Sequence, residues 1–313
     1  MYSNKLMKDI YVDFMRDKIT NTDNVVALEA DLAKCSGMIV LQKEFPKRVI
    51  NVGIAEQNMA SVAAGLSAYG FIPFIHSFGP FVTRRICDQL MISICYAKQN
   101  VKIIGSDPGI TAELNGGTHM PLEDIGVVRS IPNIVIYEPT DNVEFANMLP
   151  QIFAHNGPVY VRMFRKSPIP VFDESDTSFD IFKAKVIREG TDVTIVATGI
   201  MVAEALTASK ELETKNISAE VIASPTIKPL DEETIIKSAK KTNAVITAEN
   251  HNVIGGLRSA VAETLIENYP VPLRSIGVKN KFGEVGKQPY LKSVFNMTSQ
   301  DIVCAAMDVI VLK

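Results

Sequence analysis

Short runs of apolar, mostly β-branched residues alternate with longer helical segments along this chain of 313 residues. The runs are apolar at every position, which is typical of strands buried on both faces of a parallel sheet. Regular alternation of strand and helix predicts βαβ units and therefore an α/β fold. The strands predicted in this way are Val25–Glu29, Phe71–Ile75, Val101–Gly105, Asn133–Tyr137, Pro158–Val161, Val193–Ala197, Glu220–Ala223, Ala244–Ala248 and Leu273–Val278.

One stretch interrupts this pattern and divides the chain. Prolines and acidic residues crowd residues 167–183, which predicts a linker. It separates residues 1–166 from residues 184–313, and we expect each part to be a mostly parallel sheet flanked by helices. The predicted helices are Glu56–Tyr69, Val82–Lys98, Val143–Ala154, Met201–Leu212, Glu232–Ala239, Gly256–Asn268 and one near Ser299–Val309.

Composition excludes several functional classes. Apolar residues make up 47% and charged residues 21%, which argues against disorder. A net charge of -3 excludes a generalised basic surface, so no nucleic acid partner is expected. No run of about 18 apolar residues exists, and no membrane span is expected. The four scattered cysteines fit neither a zinc site nor a disulfide framework and predict a reducing, cytoplasmic location.

Several common catalytic signatures are missing. No G-x-G-x-x-G follows a predicted strand, and no G-x-x-x-x-G-K-[ST], H-E-x-x-H or G-x-S-x-G is present. Function must therefore be inferred from less generic features.

The segment GIAEQNM, residues 53–59, brings a carboxylate to the point where a strand gives way to a helix. The carboxyl ends of parallel strands are the usual ligand edge of an α/β sheet, so Glu56 is a candidate site residue. The alternative is an ordinary carboxylate at a helix N-terminus, where the helix dipole favours it. Spacing alone favours this second interpretation.

Two phenylalanines follow another predicted strand, in the segment HSFGPFVTRR at residues 76–85. Phe78 and Phe81 have the spacing to clamp a flat heterocycle by stacking. The adjacent Arg84 and Arg85 suit an anionic group. The alternative, with both rings in the core and both arginines in solvent, is equally compatible with the sequence.

Two further polar segments come after strands. The glycine-rich loop 105–119 contains Asp107, Asn115 and His119, and long loops at strand ends are often functional. Positive charge is concentrated at residues 161–166 by Arg162, Arg165 and Lys166, which suits a phosphate group. Solvated side chains explain both segments equally well.

Taken together and in this order, these segments resemble the transketolase family, specifically its pyrimidine-binding domain followed by its C-terminal domain. GIAEQ with its flanks is the specific signal, and each other piece alone is weak. The segments that carry the resemblance are ALEADL (27–32), INVGIAEQNMASVAAGL (50–66), FGPF (78–81), NGGTH (115–119), IPNIVIYEPTDNVE (131–144), TIVATGIMVAEAL (194–206), IKPLDEETI (227–235) and ENHNVIGG (249–256).

The resemblance implies thiamine diphosphate as the cofactor, bound between domains of different chains. One of those domains grips the diphosphate through a metal ion and carries a GDG motif, which is absent here. The length leaves no room for that domain, so the resemblance implies the C-terminal subunit of a split transketolase. Mg2+ or Ca2+ is then ligated by a separate N-terminal subunit, with no metal ligand expected in this chain. Two copies of each are expected to assemble as α2β2, with residues 53–70 at an interface.

Roles for the cofactor site follow from the same resemblance. Glu56 matches the glutamate that hydrogen-bonds the pyrimidine ring nitrogen N1′. Phe78 and Phe81 match the aromatic pair that lines the pyrimidine. Leu32 matches the apolar side chain that holds the cofactor in its bent shape, with Asp31 beside it.

The substrate residues are implied in the same way, with two departures. His119 matches a histidine that bonds sugar oxygens, and Arg165 matches an arginine that binds the acceptor phosphate. Arg84 resembles a phosphate-binding arginine of 1-deoxy-D-xylulose-5-phosphate synthase. Ordinary transketolases carry aspartate where Asn115 stands and histidine where Asp107 stands, so the usual pentose phosphates are in doubt. Two-carbon ketol transfer between phosphorylated sugars remains the expected reaction.

Two alternatives stay open. One is a decarboxylating relative, either a 1-deoxy-D-xylulose-5-phosphate synthase-like or a 2-oxo acid dehydrogenase β-like subunit; SGM at 36–38 looks synthase-like. The other is a regulatory subunit that kept the fold without catalysis. In the second domain, the pairs Thr198–Gly199 and Gly255–Gly256 suit anion cradles or, more simply, tight turns. His251 has no assigned role.

Overall fold

The computed structural model describes residues 1–313, which form two sheets covered by helices. The strands are β1 Val25–Glu29, β2 Val49–Asn51, β3 Ile72–Phe78, β4 Lys102–Ser106, β5 Val135–Tyr137, β6 Val159–Met163, β7 Lys185–Arg188, β8 Val193–Ala197, β9 Ala219–Ala223, β10 Thr226–Lys228, β11 Val245–Asn252 and β12 Leu273–Val278.

Eleven α-helices connect the strands, together with a π-helical segment at Gln89–Tyr96 and a 3-10 segment at Gly109–Asn115. The helices are α1 Met7–Asn21, α2 Ala33–Ser36, α3 Ile39–Glu44, α4 Glu56–Ala68, α5 Asp124–Arg129, α6 Asn142–Ala154, α7 Met201–Thr214, α8 Glu232–Thr242, α9 Leu257–Asn268, α10 Gln288–Val294 and α11 Ser299–Ile310. No helix is long and apolar enough to cross a membrane.

Parallel pairing dominates both sheets. The first has seven strands in the order β10-β5-β6-β4-β3-β1-β2, and only β10 runs antiparallel to its neighbour. The second has five strands in the order β12-β11-β8-β9-β7, with β7 antiparallel. The α/β prediction is therefore confirmed.

The strands are buried as their composition predicted. Every residue of β1, β4, β6, β8 and β9 is buried, because helices cover both faces of each sheet. Each fully buried valine, leucine or isoleucine contributes about 1.5–3 kcal/mol of transfer free energy. The continuous apolar runs thus stabilise the interior of each sheet. Polar side chains lie at the strand ends.

Some elements differ from their prediction. The helix expected over Val82–Lys98 is a series of turns followed by the π-helical segment. Strand β3 continues three residues beyond Ile75, because its polar side chains find partners inside the fold. Helix α1 was not predicted, although its buried Met7, Ile10 and Tyr11 have helical spacing. The unpredicted strands β2, β7 and β10 are short and lie at sheet edges.

Residues 167–183 contain no helix or strand and pack along α6. The Asp141 carboxylate caps α6 through Oδ1 and accepts the N–H groups of Val171 and Phe172 through Oδ2. Further along, Gln151 accepts the N–H of Ile181 at 3.0 Å. The segment is therefore held against the first sheet, and β10 from the later part of the chain completes that sheet.

The loop after β4 is fixed to β11 by a single amide. The Asn250 side chain accepts the N–H of Ile110 and donates to the carbonyl of Pro108, both at 2.9 Å. Gly109 lies between them with φ +53, and a Cβ there would come within 2.2 Å of the Asn250 carbonyl oxygen. Only glycine permits this approach.

A buried cation links the two sheets below this contact. Arg162 donates to Asp124 at 2.8 and 3.1 Å, to Glu138 at 2.6 Å and to the Asn250 carbonyl at 3.1 Å. Buried charges are tolerated only when they are paired and hydrogen-bonded in this way. Arg162 is thus structural and is not available to a phosphate.

The pairs Thr198–Gly199 and Gly255–Gly256 of the second domain are also structural, and so is His251. Gly199, with φ +55, packs against the Glu138 side chain. The Glu249 carboxyl accepts the N–H groups of Leu257 and Arg258, so this side chain fills the α9 N-terminus after Gly255–Gly256. Burial raises the pKa of Glu249 to about 8 and lowers the pKa of the neighbouring His251 to about 4.

Candidate active site

The carboxyl ends of parallel strands bring most of the predicted site residues to one edge of the first sheet. Phe78 ends β3, Asp107 follows β4 and Arg165 follows β6. Asp31 and Leu32 come directly after β1, and Glu56 starts α4 just beyond β2. Neighbouring strands therefore place these side chains along one edge of the sheet.

Glu56 is buried although it begins a helix, with 3% of its surface exposed. Its carboxylate oxygen Oε1 accepts from Ser77 Oγ at 3.3 Å and from Arg85 Nη1 at 2.8 Å. Neither donor is an N–H group of α4, so this carboxyl does not cap its own helix. The ordinary helix-end explanation for Glu56 therefore does not describe its contacts.

Phe78, Phe81 and His119 form a cluster of three rings. The centroids of Phe78 and Phe81 lie 6.2 Å apart, and that of His119 lies 5.6 Å from Phe78 and 5.2 Å from Phe81. All three contacts are edge-on, with interplanar angles from 66° to 75°. His119 Nδ1 is hydrogen-bonded with Thr118 Oγ1 at 2.8 Å. The structure thus brings the two predicted phenylalanines and the predicted histidine together.

Arg85 lies between the carboxylate and the rings. Its guanidinium carbon is 3.8 Å from the centroid of Phe81, while Nη1 donates to Glu56. This is a cation–π contact on a ring face combined with an ion pair. The space between Glu56 and Phe81 therefore admits a flat, nitrogen-rich group.

The predicted anion site is charge-balanced. Arg165 donates through Nε to Asp107 Oδ1 at 2.8 Å, and Nη2 lies within ion-pair distance of Oδ2. Burial raises the pKa of Asp107, and the Arg165 cation opposes that shift. Lys166 Nζ pairs with a single oxygen of Glu113. Both cations that follow β6 therefore already have a carboxylate partner.

A cavity of about 300 Å³ opens beside this pair, between the two sheets. Asp107, Arg165 and Thr140 line it from the first domain, and Lys292 lines it from the second. Lys292 is itself paired with Glu204 at 2.8 Å. Most residues that line the cavity are polar or charged, and their charges are compensated within the protein.

Other predicted residues lie farther from the ring cluster. Arg84 pairs with Glu123 at 2.6 Å and lines a second cavity of about 250 Å³. Asn115 is exposed and makes no side-chain hydrogen bond. Asp31, with φ +59, accepts from the Asn51 side chain at 3.0 Å, and Leu32 is half-buried beside it.

A buried polar chain under the site was missed by sequence reasoning. His76 Nδ1 lies 2.8 Å from Glu29 Oε2, and His76 Nε2 lies 3.1 Å from Ser106 Oγ. Ser36 completes the chain by donating to Glu29 at 2.7 Å. The available signal was the presence of polar residues inside strands that are otherwise apolar. This network ties the carboxyl ends of β1, β3 and β4 together.

Fold and site together define a transketolase-type pair of domains that belongs to thiamine-dependent enzymes. Residues 5–168 match the transketolase pyrimidine binding domain, and residues 182–302 match the transketolase C-terminal domain. The chain belongs to the transketolase family, as a split-subunit type.

Relatives and a solved structure agree with this assignment. A 6-deoxy-6-sulfo-D-fructose transketolase subunit from Clostridium sp. (strain MSTE9) is 53% identical, covering 97% of this chain and 94% of that protein. A solved split gene transketolase, described as an inactive beta4 tetramer, aligns with a TM-score of 0.89 and 39% identity over 98% of this chain and 99% of that chain. The 1-deoxy-D-xylulose-5-phosphate synthase 1 of Geobacter sulfurreducens is 33% identical over 95% of this chain, which spans 47% of that protein.

Proposed function

We propose that this chain is the C-terminal subunit of a thiamine diphosphate-dependent transketolase. It transfers a two-carbon ketol unit between sugars that carry an anionic tail, and it is active only with a separate N-terminal subunit. The observation that carries the proposal is the buried Glu56 carboxyl, which does not cap its own helix and is connected to the face of Phe81 through Arg85.

The residues present fit the aminopyrimidine half of the cofactor. Arg85 already holds a planar, hydrogen-bonding group against both the Glu56 carboxylate and the face of Phe81. The same pair of contacts suits a ring that offers a nitrogen at its edge and a π-face. When bound, thiamine diphosphate supplies the carbon nucleophile and the electron sink that ketol transfer requires.

Each residue at this edge of the first sheet then has a defined task. With the cofactor bound, Glu56 would hold a proton at the pyrimidine nitrogen, and Ser77 would keep the Glu56 carboxyl oriented. Phe78 and Phe81 would line the pyrimidine and keep water away from it. Leu32, half-buried after β1, would support the cofactor, with Asp31 beside it.

The polar side chains beyond the rings serve the sugar. His119, fixed by Thr118 and by both phenylalanines, exchanges hydrogen bonds with sugar oxygens. Asn115 is exposed on the same loop and has its amide available for a hydroxyl. Arg165 takes the anionic tail through its outward N–H groups.

The charge balance favours a singly charged tail. Asp107 and Glu113 neutralise Arg165 and Lys166, so a doubly charged phosphate meets two fixed carboxylates with no surplus cation. A sulfonate carries one charge and is repelled less. The 53% identical 6-deoxy-6-sulfo-D-fructose transketolase subunit supports a sulfonated sugar as the substrate to test first. Phosphorylated sugars, including those for which Arg84 was predicted, are the comparison set.

Assembly rests on an apolar face next to the site. Helix α4 packs against the π-helical segment. Ile54 before α4, Tyr69 after it and Tyr96 at the end of the π-helical segment are exposed at 77%, 89% and 81%. An exposed apolar patch is typical of an interface. We propose that this face, which includes residues 53–70, contacts the N-terminal subunit in a cytoplasmic α2β2 assembly. That subunit supplies the diphosphate site with its Mg2+ or Ca2+.

The test combines this chain with its N-terminal subunit, thiamine diphosphate and Mg2+, and measures ketol transfer. Glu56→Gln removes the shared proton and is expected to lower kcat by about 10²–10⁴-fold. The matched control is Glu213→Gln, which replaces an exposed glutamate of the second domain that pairs with Arg188. Near-normal turnover by the Glu56 variant contradicts the proposed role.

A decarboxylating reaction is the second candidate, favoured by the 33% identity to a 1-deoxy-D-xylulose-5-phosphate synthase. The same complex is supplied with pyruvate or with a ketose donor. Carbon dioxide release from pyruvate without ketose-dependent transfer supports the synthase-like or 2-oxo acid dehydrogenase β-like reaction. Inactivity in every combination supports a regulatory subunit.

A further inference from the structure

Arg85 occupies two positions that the proposed function gives to the cofactor. Its Nη1 donates to Glu56 Oε1 at 2.8 Å, and its guanidinium carbon lies 3.8 Å above the Phe81 ring. Both contacts are made by one planar group at the same time. No other cation of the chain approaches Glu56 within ion-pair distance.

A second flat group does not fit on this face together with Arg85. Carbon atoms in optimal contact are about 3.5–4.0 Å apart, so a guanidinium at 3.8 Å from the ring centroid leaves no layer for other atoms. Of the two Glu56 carboxylate oxygens, Oε1 also already accepts from both Ser77 and Arg85. A heterocycle that stacks on this face of Phe81 and bonds Glu56 must therefore replace the guanidinium.

We propose that Arg85 is a placeholder that holds the pyrimidine pocket closed in the cofactor-free subunit and swings out when the cofactor binds. The inference rests on the proposed function, because it takes the pyrimidine to sit between Glu56 and Phe81. The Arg85 guanidinium and the pyrimidine ring then compete for Glu56 and Phe81, and this competition sets the affinity for the cofactor.

The surroundings of Arg85 suit this movement. Its side chain is 41% exposed, so it can rotate into solvent without disturbing the core. Glu56, by contrast, is buried, and an unpartnered carboxylate there would be costly. Arg85 therefore satisfies the Glu56 carboxylate as a donor. An incoming ring nitrogen takes over that contact with uptake of one proton, because a carboxylate and an unprotonated ring nitrogen are both acceptors.

The expected consequence is a gain of affinity when Arg85 is removed. The contacts that must break are a partly exposed ion pair and a cation–π contact, which are individually weak. Arg85→Ala should therefore tighten thiamine diphosphate binding by about 3- to 30-fold. Arg85→Lys keeps the charge but loses the planar stacking group, and its affinity should fall between those of the wild type and the alanine variant.

The experiment is a calorimetric titration of the assembled complex with thiamine diphosphate in the presence of Mg2+. Arg16→Ala is the matched control, because Arg16 also pairs with a glutamate, Glu44, at 3.0 Å and is 40% exposed, but belongs to α1 and contacts α3. The complex with Arg16→Ala should have the same dissociation constant for thiamine diphosphate as the wild type. A second readout is thermal unfolding: the Arg85→Ala complex should start less stable and gain more Tm on saturation with cofactor.

The outcomes separate the two proposals. Tighter binding by Arg85→Ala, with Arg85→Lys intermediate, supports the placeholder. Equal or weaker binding by the alanine variant, with the wild type binding normally, overturns it, because Arg85 then assists the loaded site. If neither the wild type nor any variant binds thiamine diphosphate, both the proposed function and the placeholder role of Arg85 are overturned.

Discussion

Replacement of Asp107 by asparagine tests the charge balance of the anion site. An asparagine side chain is close to isosteric with aspartate, and asparagine tolerates the positive φ of +57 at this position. The change removes one negative charge from the pair with Arg165 and keeps one acceptor oxygen for the Arg165 Nε–H. A tail with a larger negative charge should benefit more from the loss.

The size of the effect follows from Coulomb's law. A tail bonded to the outer N–H groups of Arg165 lies roughly 6 Å from the Asp107 carboxylate. Each additional unit of charge on the tail is then repelled by about 0.7 kcal/mol at a water-like dielectric and by about 2.8 kcal/mol at an effective dielectric of 20. A phosphate ester exceeds a sulfonate by up to about one charge near neutral pH. Since the Arg165 side chain is 26% exposed, an intermediate dielectric applies. We therefore expect the preference for phosphate over sulfonate to rise about 10-fold, within limits of about 3- and 100-fold.

The assay compares kcat/KM for a 6-sulfonated ketose donor with kcat/KM for the matching 6-phosphorylated donor. Asp107→Asn should raise the phosphate-to-sulfonate ratio by the stated factor. The control Glu44→Gln removes an exposed carboxylate that pairs with Arg16, and it should leave the ratio unchanged. An unchanged ratio for Asp107→Asn, or a shift toward the sulfonate, refutes the electrostatic reasoning.

Two further predictions concern the contact between the domains. Burial lowers the pKa of His251 from 6.5 to about 4, so the unfolded chain binds a proton in that pH window that the folded chain does not. The free energy of unfolding should therefore fall by about 1.4 kcal/mol per pH unit on acidification through the window. In urea denaturation, His251→Asn should lose this part of the slope, and equal slopes would refute the assignment. Asn250→Ala leaves the Ile110 N–H and the Pro108 carbonyl unsatisfied and should cost about 2–4 kcal/mol by the same measurement; a loss below about 1 kcal/mol would show that the loop after β4 does not depend on this amide.

Local pattern was sufficient for the central strands and for the family. Burial on both faces of a parallel strand requires apolar residues at every position, so β1, β4, β6 and β8 are visible in the amino-acid order. The ends of these strands then locate the sheet edge where the polar segments collect. Edge strands such as β10 are short, and their pairing partner β5 lies far away in sequence, so no local pattern reports them.

The amino-acid sequence by itself determined the α/β architecture, the family and most of the side chains that lie at the site edge of the first sheet. Only the tertiary structure decided which charges meet. Asp107 pairs with Arg165 across 58 positions, and Arg85 reaches Glu56 across 29. These partnerships depend on strand order and on the rotamers that packing selects, and neither is encoded in a local stretch of chain. Residue types state which interactions are possible, whereas the assembled sheet decides which atoms come within reach of one another.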